Sequence, residues 1–85
     1  MVKYKVKVEV WLKDNLVDAE GKMVEESLKD LGYNVQSVRV GKSYSFNLDL
    51  SNDSLVEKVV DEICRRLLAN PVKDKYFFKV MRYEE

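Results

Sequence analysis

The first stretch of chain constrains the fold more than any other. Val2, Tyr4, Val6, Val8, Val10 and Leu12 alternate with Lys3, Lys5, Lys7 and Glu9. Strict period-two alternation with β-branched side chains specifies a strand with one buried face. Lys13-Asp14-Asn15 ends it.

A helix follows. Asp18 fits an N-cap, because its carboxylate can accept from the free amides of the first turn. Glu20 in that turn suits the positive end of the helix dipole. Met23, Val24, Leu28 and Leu31 recur at spacings of three and four and make one apolar stripe. Gly32 stands where a C-terminal cap needs positive φ. The span from Val35 to Leu50 then reads as a hairpin. Val38 and Val40 form one arm, Tyr44, Phe46, Leu48 and Leu50 the other, and Gly41-Lys42 the two-residue turn. Val35 breaks the register and marks a bulge.

The second helix starts near Ser54. Ser54-Leu55-Val56-Glu57 has the form of a capping box, with Ser51, Asn52 and Asp53 as rival caps. Leu55, Val56, Val59, Val60, Ile63, Cys64, Leu67 and Leu68 give it a wide, well-buried apolar face. Asn70-Pro71 stops it. Tyr76 to Tyr83 closes the chain as a strand.

This order predicts an α+β chain with a ferredoxin-like βαββαβ sandwich: a four-stranded antiparallel sheet with two helices on one face. The first and last strands are antiparallel neighbours, and Lys3 or Lys5 lies across from Asp49. At 85 residues the chain makes a single domain over 1–85, against about 100–200 residues for a typical one.

Composition then excludes function classes. The chain is 46% hydrophobic and 35% charged, which argues against disorder. No apolar run approaches the roughly 20 residues that span a bilayer, and the alternating N-terminus is no signal peptide. The reading is a cytoplasmic chain with no membrane partner. There is no histidine, the commonest general base and imidazole metal ligand. One cysteine, Cys64, permits no internal disulfide and no thiolate zinc cage. Fifteen basic residues balance fifteen acidic ones, so the basic excess of a nucleic-acid binder is missing. A domain this small gains stability from association with other chains.

Few residues offer chemistry. Gly41-Lys42-Ser43 has the tail of a phosphate-binding loop, but Gln36 stands where its first glycine belongs and strands flank it, so the turn reading wins. Lys42 and Arg39 suit an anion or an acidic partner, or are simply solvated. Asp61 and Glu62, like Glu25 and Glu26, diverge by about 100° on a helix and read as solvent-facing charge rather than acid–base pairs. Cys64 falls on the apolar stripe as a structural thiol. Gly21 in a first helical turn signals either close approach of another chain or ligand to its amides, or a slightly strained start. Trp11 occupies the outward register, and the last strand is apolar on both faces, with Phe77, Met81 and Tyr83 on one. An aromatic cluster on an open sheet face reads as a contact surface for self-association, ahead of the alternative of a local aromatic pair covering lysine stems.

Taken in order, Asp18-Ala19-Glu20-Gly21-Lys22, Leu31-Gly32-Tyr33, Val38-Arg39-Val40-Gly41-Lys42 and Leu67-Leu68-Ala69-Asn70-Pro71-Val72, with Tyr76 shortly after, resemble the PurS family. This is the small accessory subunit of phosphoribosylformylglycinamidine synthase. The family commonly carries Asp-Pro-Gln-Gly where this chain has Asp18-Ala19-Glu20-Gly21. The resemblance implies a homodimer or tetramer of a ferredoxin-like unit. It implies a bridge between a large ATP-dependent synthetase subunit and a glutaminase subunit that supports ammonia transfer in purine biosynthesis. It implies no catalytic residue, no cofactor and no metal in this chain, with ATP and magnesium on the large subunit. Asp18, Gly21, Lys22, Arg39, Gly41, Lys42, Asn70 and Pro71 are then the candidate partner-binding residues. The competing reading is an ACT-like regulatory domain, which shares the element order and binds small molecules between subunits. An RNA-recognition sheet has exposed aromatics in its favour but lacks the basic balance and the aromatic signature strand.

Overall fold

The long alternating strand organises the molecule from its centre. In the computed structural model, which describes residues 2–51 and 55–83, β1 (Val2–Leu12) is flanked by β2 (Lys42–Leu50) and β3 (Asp74–Tyr83). The sheet order is β2-β1-β3, and both pairings are antiparallel. Register follows the apolar alternation: Val6 stands between Phe46 and Val80, and Val8 between Tyr44 and Phe78. Lys3 lies across from Asp49, as the pattern predicts.

One face of this sheet carries the core. Tyr4, Val6, Val8 and Val10 are buried together with Val60, Cys64 and Ala69. The last three come from α2 (Val56–Ile63) and the π-helical turn Cys64–Leu68 that continues it. The face of α2 is narrower than its sequence predicts. Val60 and Cys64 are fully buried, whereas Leu67 is 81% exposed. The capping box at Ser54 lies outside the described residues.

The largest departure from the expected plan is the region between β1 and β2. α1 (Ala19–Asp30) begins at Asp18, whose side chain accepts from the Gly21 amide, and Gly32 follows it with φ 96°. Both ends match the sequence reading. Its apolar stripe, however, does not join the core: Met23 is 65% and Leu31 73% exposed. The two helices therefore do not share one face of the sheet.

Nor does the segment 33–41 pair as a strand, so among the described residues the sheet has three strands rather than four. The physical reason is where its amides go. Val38 donates to Glu25 Oε1 at 3.0 Å and Val40 to Asp18 Oδ2 at 2.7 Å. Alternate amides of an extended chain point to one side, and here carboxylates of the α1 region occupy that side instead of a neighbouring strand. The predicted bulge at Val35 and the Gly41-Lys42 hairpin turn disappear with that strand. The radius of gyration is 16.7 Å, against about 12 Å for a compact chain of this length.

Candidate functional site

Residues 13–41 form an arm on the sheet, and most of the candidate partner-binding residues gather at its base. Three contacts build that base. The Asp18 carboxylate accepts from Gly21 at 2.9 Å through one oxygen and from Val40 at 2.7 Å through the other. These two amides hold its pKa below the usual carboxylate range, despite the opposing effect of burial. Arg39 spreads its guanidinium over the carbonyls of Leu12, Lys13 and Leu16, at 3.1 to 3.2 Å. Its planar fork suits several acceptors at once. Arg39 is therefore neither a free anion ligand nor simply solvated, the two roles its sequence position suggested.

Gly21 and Gly41 allow two close approaches. A Cβ on Gly21 would stand 2.5 Å from the Val38 carbonyl oxygen, and one on Gly41 would stand 2.7 Å from the Trp11 ring. The Gly21 question resolves toward close approach, but by the chain's own return segment rather than by another molecule. Glu25, read as solvent-facing charge, is a third clamp. The Val38 amide, with Lys29 at 3.2 Å, keeps its carboxyl below the ordinary range. Its i,i+4 spacing to Lys29 was visible in the sequence. Its bond to Val38 was not, because it needs the arm to turn back.

The Asn70-Pro71 corner lies beside this base. Lys13 donates through its amide to the Lys73 carbonyl at 2.8 Å and through Nζ to the Pro71 carbonyl at 3.1 Å. Asn70 Oδ1 accepts from Val72, and Asp74 accepts from the Asn70 amide. Of the eight residues, Lys22, Gly41, Lys42, Asn70 and Pro71 are exposed, Arg39 is half-buried, and Asp18 and Gly21 are buried within the chain. Of the outward aromatic set, Trp11 lies half-buried against Gly41 at this base, and Phe77, Met81 and Tyr83 sit elsewhere, on the open sheet face. Phe77 lies across from Glu9, Met81 from Lys5 and Tyr83 from Lys3, while Trp11 pairs with Lys75. Phe77 is 58% and Met81 61% exposed, and Lys5 Nζ stands 5.6 Å from the Tyr83 ring centre.

Conventional catalytic groups are sparse. Cys64 is buried, and burial pushes its thiol pKa up, away from the reactive thiolate. Asp61 accepts from the Tyr76 hydroxyl at 2.5 Å and from Arg65 at 2.8 Å; the first bond chiefly lowers the Asp61 pKa and raises that of Tyr76. This pair ties α2 to β3. Among the described residues no group of three or more His, Cys, Asp or Glu could hold a metal ion. No helix among them is long and apolar enough to cross a membrane.

Known proteins share this arrangement over nearly the whole chain. The phosphoribosylformylglycinamidine synthase subunit PurS of Bacillus subtilis is 41% identical over 78 residues, covering 91% of this chain and 92% of its own length. The subunit of that name from Methanocaldococcus jannaschii is 35% identical over 82 residues, covering 95% and 99%. A crystal structure of Bacillus subtilis PurS superposes with a TM-score of 0.84 at 40% identity, over 92% of this chain and 98% of that one. A chain in the structure of PurLQS from Thermotoga maritima gives 0.85 at 28% identity, over 95% and 100%. The family described as PurS, phosphoribosylformylglycinamidine (FGAM) synthase, matches residues 5–82, and with the arm, its clamps and most of the central strand inside that span, the chain belongs to the PurS family.

Proposed function

We propose that this chain is the small accessory subunit of a phosphoribosylformylglycinamidine synthase. It joins a large ATP-dependent synthetase subunit to a glutaminase subunit and supplies no catalytic residue of its own. The observation that carries the reading is the end-to-end match to PurS chains, one of them within a PurLQS structure. In this reading the assembly converts formylglycinamide ribonucleotide, ATP and glutamine to formylglycinamidine ribonucleotide. ATP and magnesium belong to the large subunit.

The physical use of such a subunit is geometric. Ammonia released by a glutaminase must reach its acceptor before it is protonated and lost. A rigid bridge fixes the distance between the two centres. The arm's base suits that task, because Asp18, Arg39 and Glu25 hold it at several points. Exposed Lys22, Lys42, Asn70 and Pro71 would meet the larger subunits there. The chain acts as one domain in the cytoplasm, as a homodimer or tetramer, with Trp11, Phe77, Met81 and Tyr83 serving contact between copies.

Reconstitution tests this reading. Glutamine-dependent turnover by the synthetase and glutaminase subunits should require this chain, and the three should co-elute. Unchanged turnover without it, together with separate elution, would overturn the proposal.

A further inference from the structure

The outer face of the sheet carries a charge pattern that its aromatic residues do not explain. On that face Lys3, Lys5, Lys7, Lys75 and Lys79 stand against two carboxylates, Glu9 and Asp49. Three of these lysines are engaged. Lys5 Nζ lies over the Tyr83 ring, Lys75 Nζ bonds to Asp14 Oδ1 at 2.7 Å, and Lys3 also has an interaction of its own. Lys7 and Lys79 have no partner among the described residues.

The register sets these two directly opposite each other. Cross-strand neighbours have Cβ atoms about 5 Å apart, and like charges so placed are destabilising. On the other side of Lys7 stands Ser45, a hydroxyl rather than a carboxylate. Lys7 and Lys79 line a groove of about 230 Å³ with Glu9, Phe77 and Phe78. Glu9 contributes a negative charge there but forms an ion pair with neither lysine. The groove therefore keeps two unneutralised ammonium groups side by side, next to an exposed aromatic ring.

Their position gives this a consequence for contact between copies. Lys7 is the middle residue of β1, and β1 is the middle strand. A two-fold contact that overlaps two such faces has its axis near this point, because an isologous interface sets one patch on itself. The unpaired ammonium groups of both copies then meet at the centre of the contact, where they repel.

We propose that Lys7 and Lys79 hold an oxyanion of the phosphate class, and that two copies meet through the outer sheet face around it. A tetrahedral dianion offers acceptors on several sides, so it bridges the ammonium groups of both copies through charge-assisted hydrogen bonds. Chloride screens the repulsion without bridging it. The anion is free phosphate or the phosphoryl group of a nucleotide. For a nucleotide, the Phe77 ring, 58% exposed, gives the base a surface to stack on. The inference rests on the reading of this face as a contact between copies. Its test reads anion dependence rather than turnover, so it and the accessory-subunit reading fail separately.

Sedimentation of the full chain in chloride and in inorganic phosphate, at equal pH and ionic strength, decides it. Phosphate should raise the association constant of the larger species roughly tenfold, the factor that one charge-assisted hydrogen bond supplies. Adenosine monophosphate forms a second arm: an effect at lower concentration than phosphate assigns the anion to a nucleotide, and otherwise to free phosphate. Lys7→Gln/Lys79→Gln should associate in chloride as strongly as the unaltered chain does in phosphate, and phosphate should add nothing. Glu9→Gln should keep the phosphate response. All three positions are exposed, and thermal melts check that each variant folds. Equal association of the unaltered chain in chloride and phosphate would overturn the site. So would a phosphate response that survives in the Gln pair, or loss of association in Glu9→Gln, which would mean direct pairing of lysine with glutamate between copies.

Discussion

Asp18 Oδ2 accepts a hydrogen bond from the Val40 amide at 2.7 Å, across 22 positions of sequence. Its other oxygen caps α1 through Gly21. One carboxylate therefore starts a helix and ties the returning chain to it. Asp18→Ala should lower Tm by several degrees and expose both amides. Asp18→Asn keeps one acceptor and should fall between the two. Amide hydrogen exchange at Gly21 and Val40 measures this directly.

The arm should be weakened by acid. Asp18 and Glu25 both have carboxyl pKa values lowered in the folded chain, each chiefly by a backbone amide. A group with a depressed folded pKa stabilises the fold above its unfolded value, about 4, and that contribution is lost as pH falls through the lower folded value. The Val38 and Val40 amide resonances should therefore hold steady near neutrality. They should shift upfield as pH drops below about 4.

Gly21→Ala should destabilise the arm although alanine is the better helix former. The added methyl would meet the Val38 carbonyl at 2.5 Å and Asp18 Oδ2 at 2.8 Å. Relief requires the return segment to move off α1. Weaker exchange protection at Val38 and Val40, with helicity retained, is the expected signature.

Arg39 and Lys42 should separate sharply. Arg39→Ala removes donors to three carbonyls, and Arg39→Lys should not restore them, because a single ammonium cannot span that set. Lys42 is exposed, so Lys42→Ala should leave Tm unchanged. If the base is the contact surface, Lys42→Ala weakens pull-down of the larger subunits without weakening the fold.

The core should respond as a packed layer. Val8 is 0% exposed, and Val8→Ala should cost about 2 kcal/mol, or roughly 10 °C in Tm. Val17 is 80% exposed, and Val17→Ala should stay within about 0.5 kcal/mol. Thermal melts followed by circular dichroism compare the two.

The sequence by itself determined the elements governed by local rules. The alternation of β1 set which of its side chains face the core and narrowed the partner of Asp49 to Lys3 or Lys5, between which the fold chose Lys3. Asp18 and Gly32 set the ends of α1, and the order of residues from Asp18 to Tyr76 carried the family resemblance. Residues 35–40 carry the pattern of a strand without forming one, because an extended, alternating segment has that pattern whatever its amides bind. Only the tertiary structure decided that Glu25 and Asp18 take those amides, that Arg39 grips the chain's own carbonyls, and that α1 stands off the sheet. Each depends on groups distant in sequence meeting in space, and an apolar helical stripe reads the same whether it covers its own core or remains exposed.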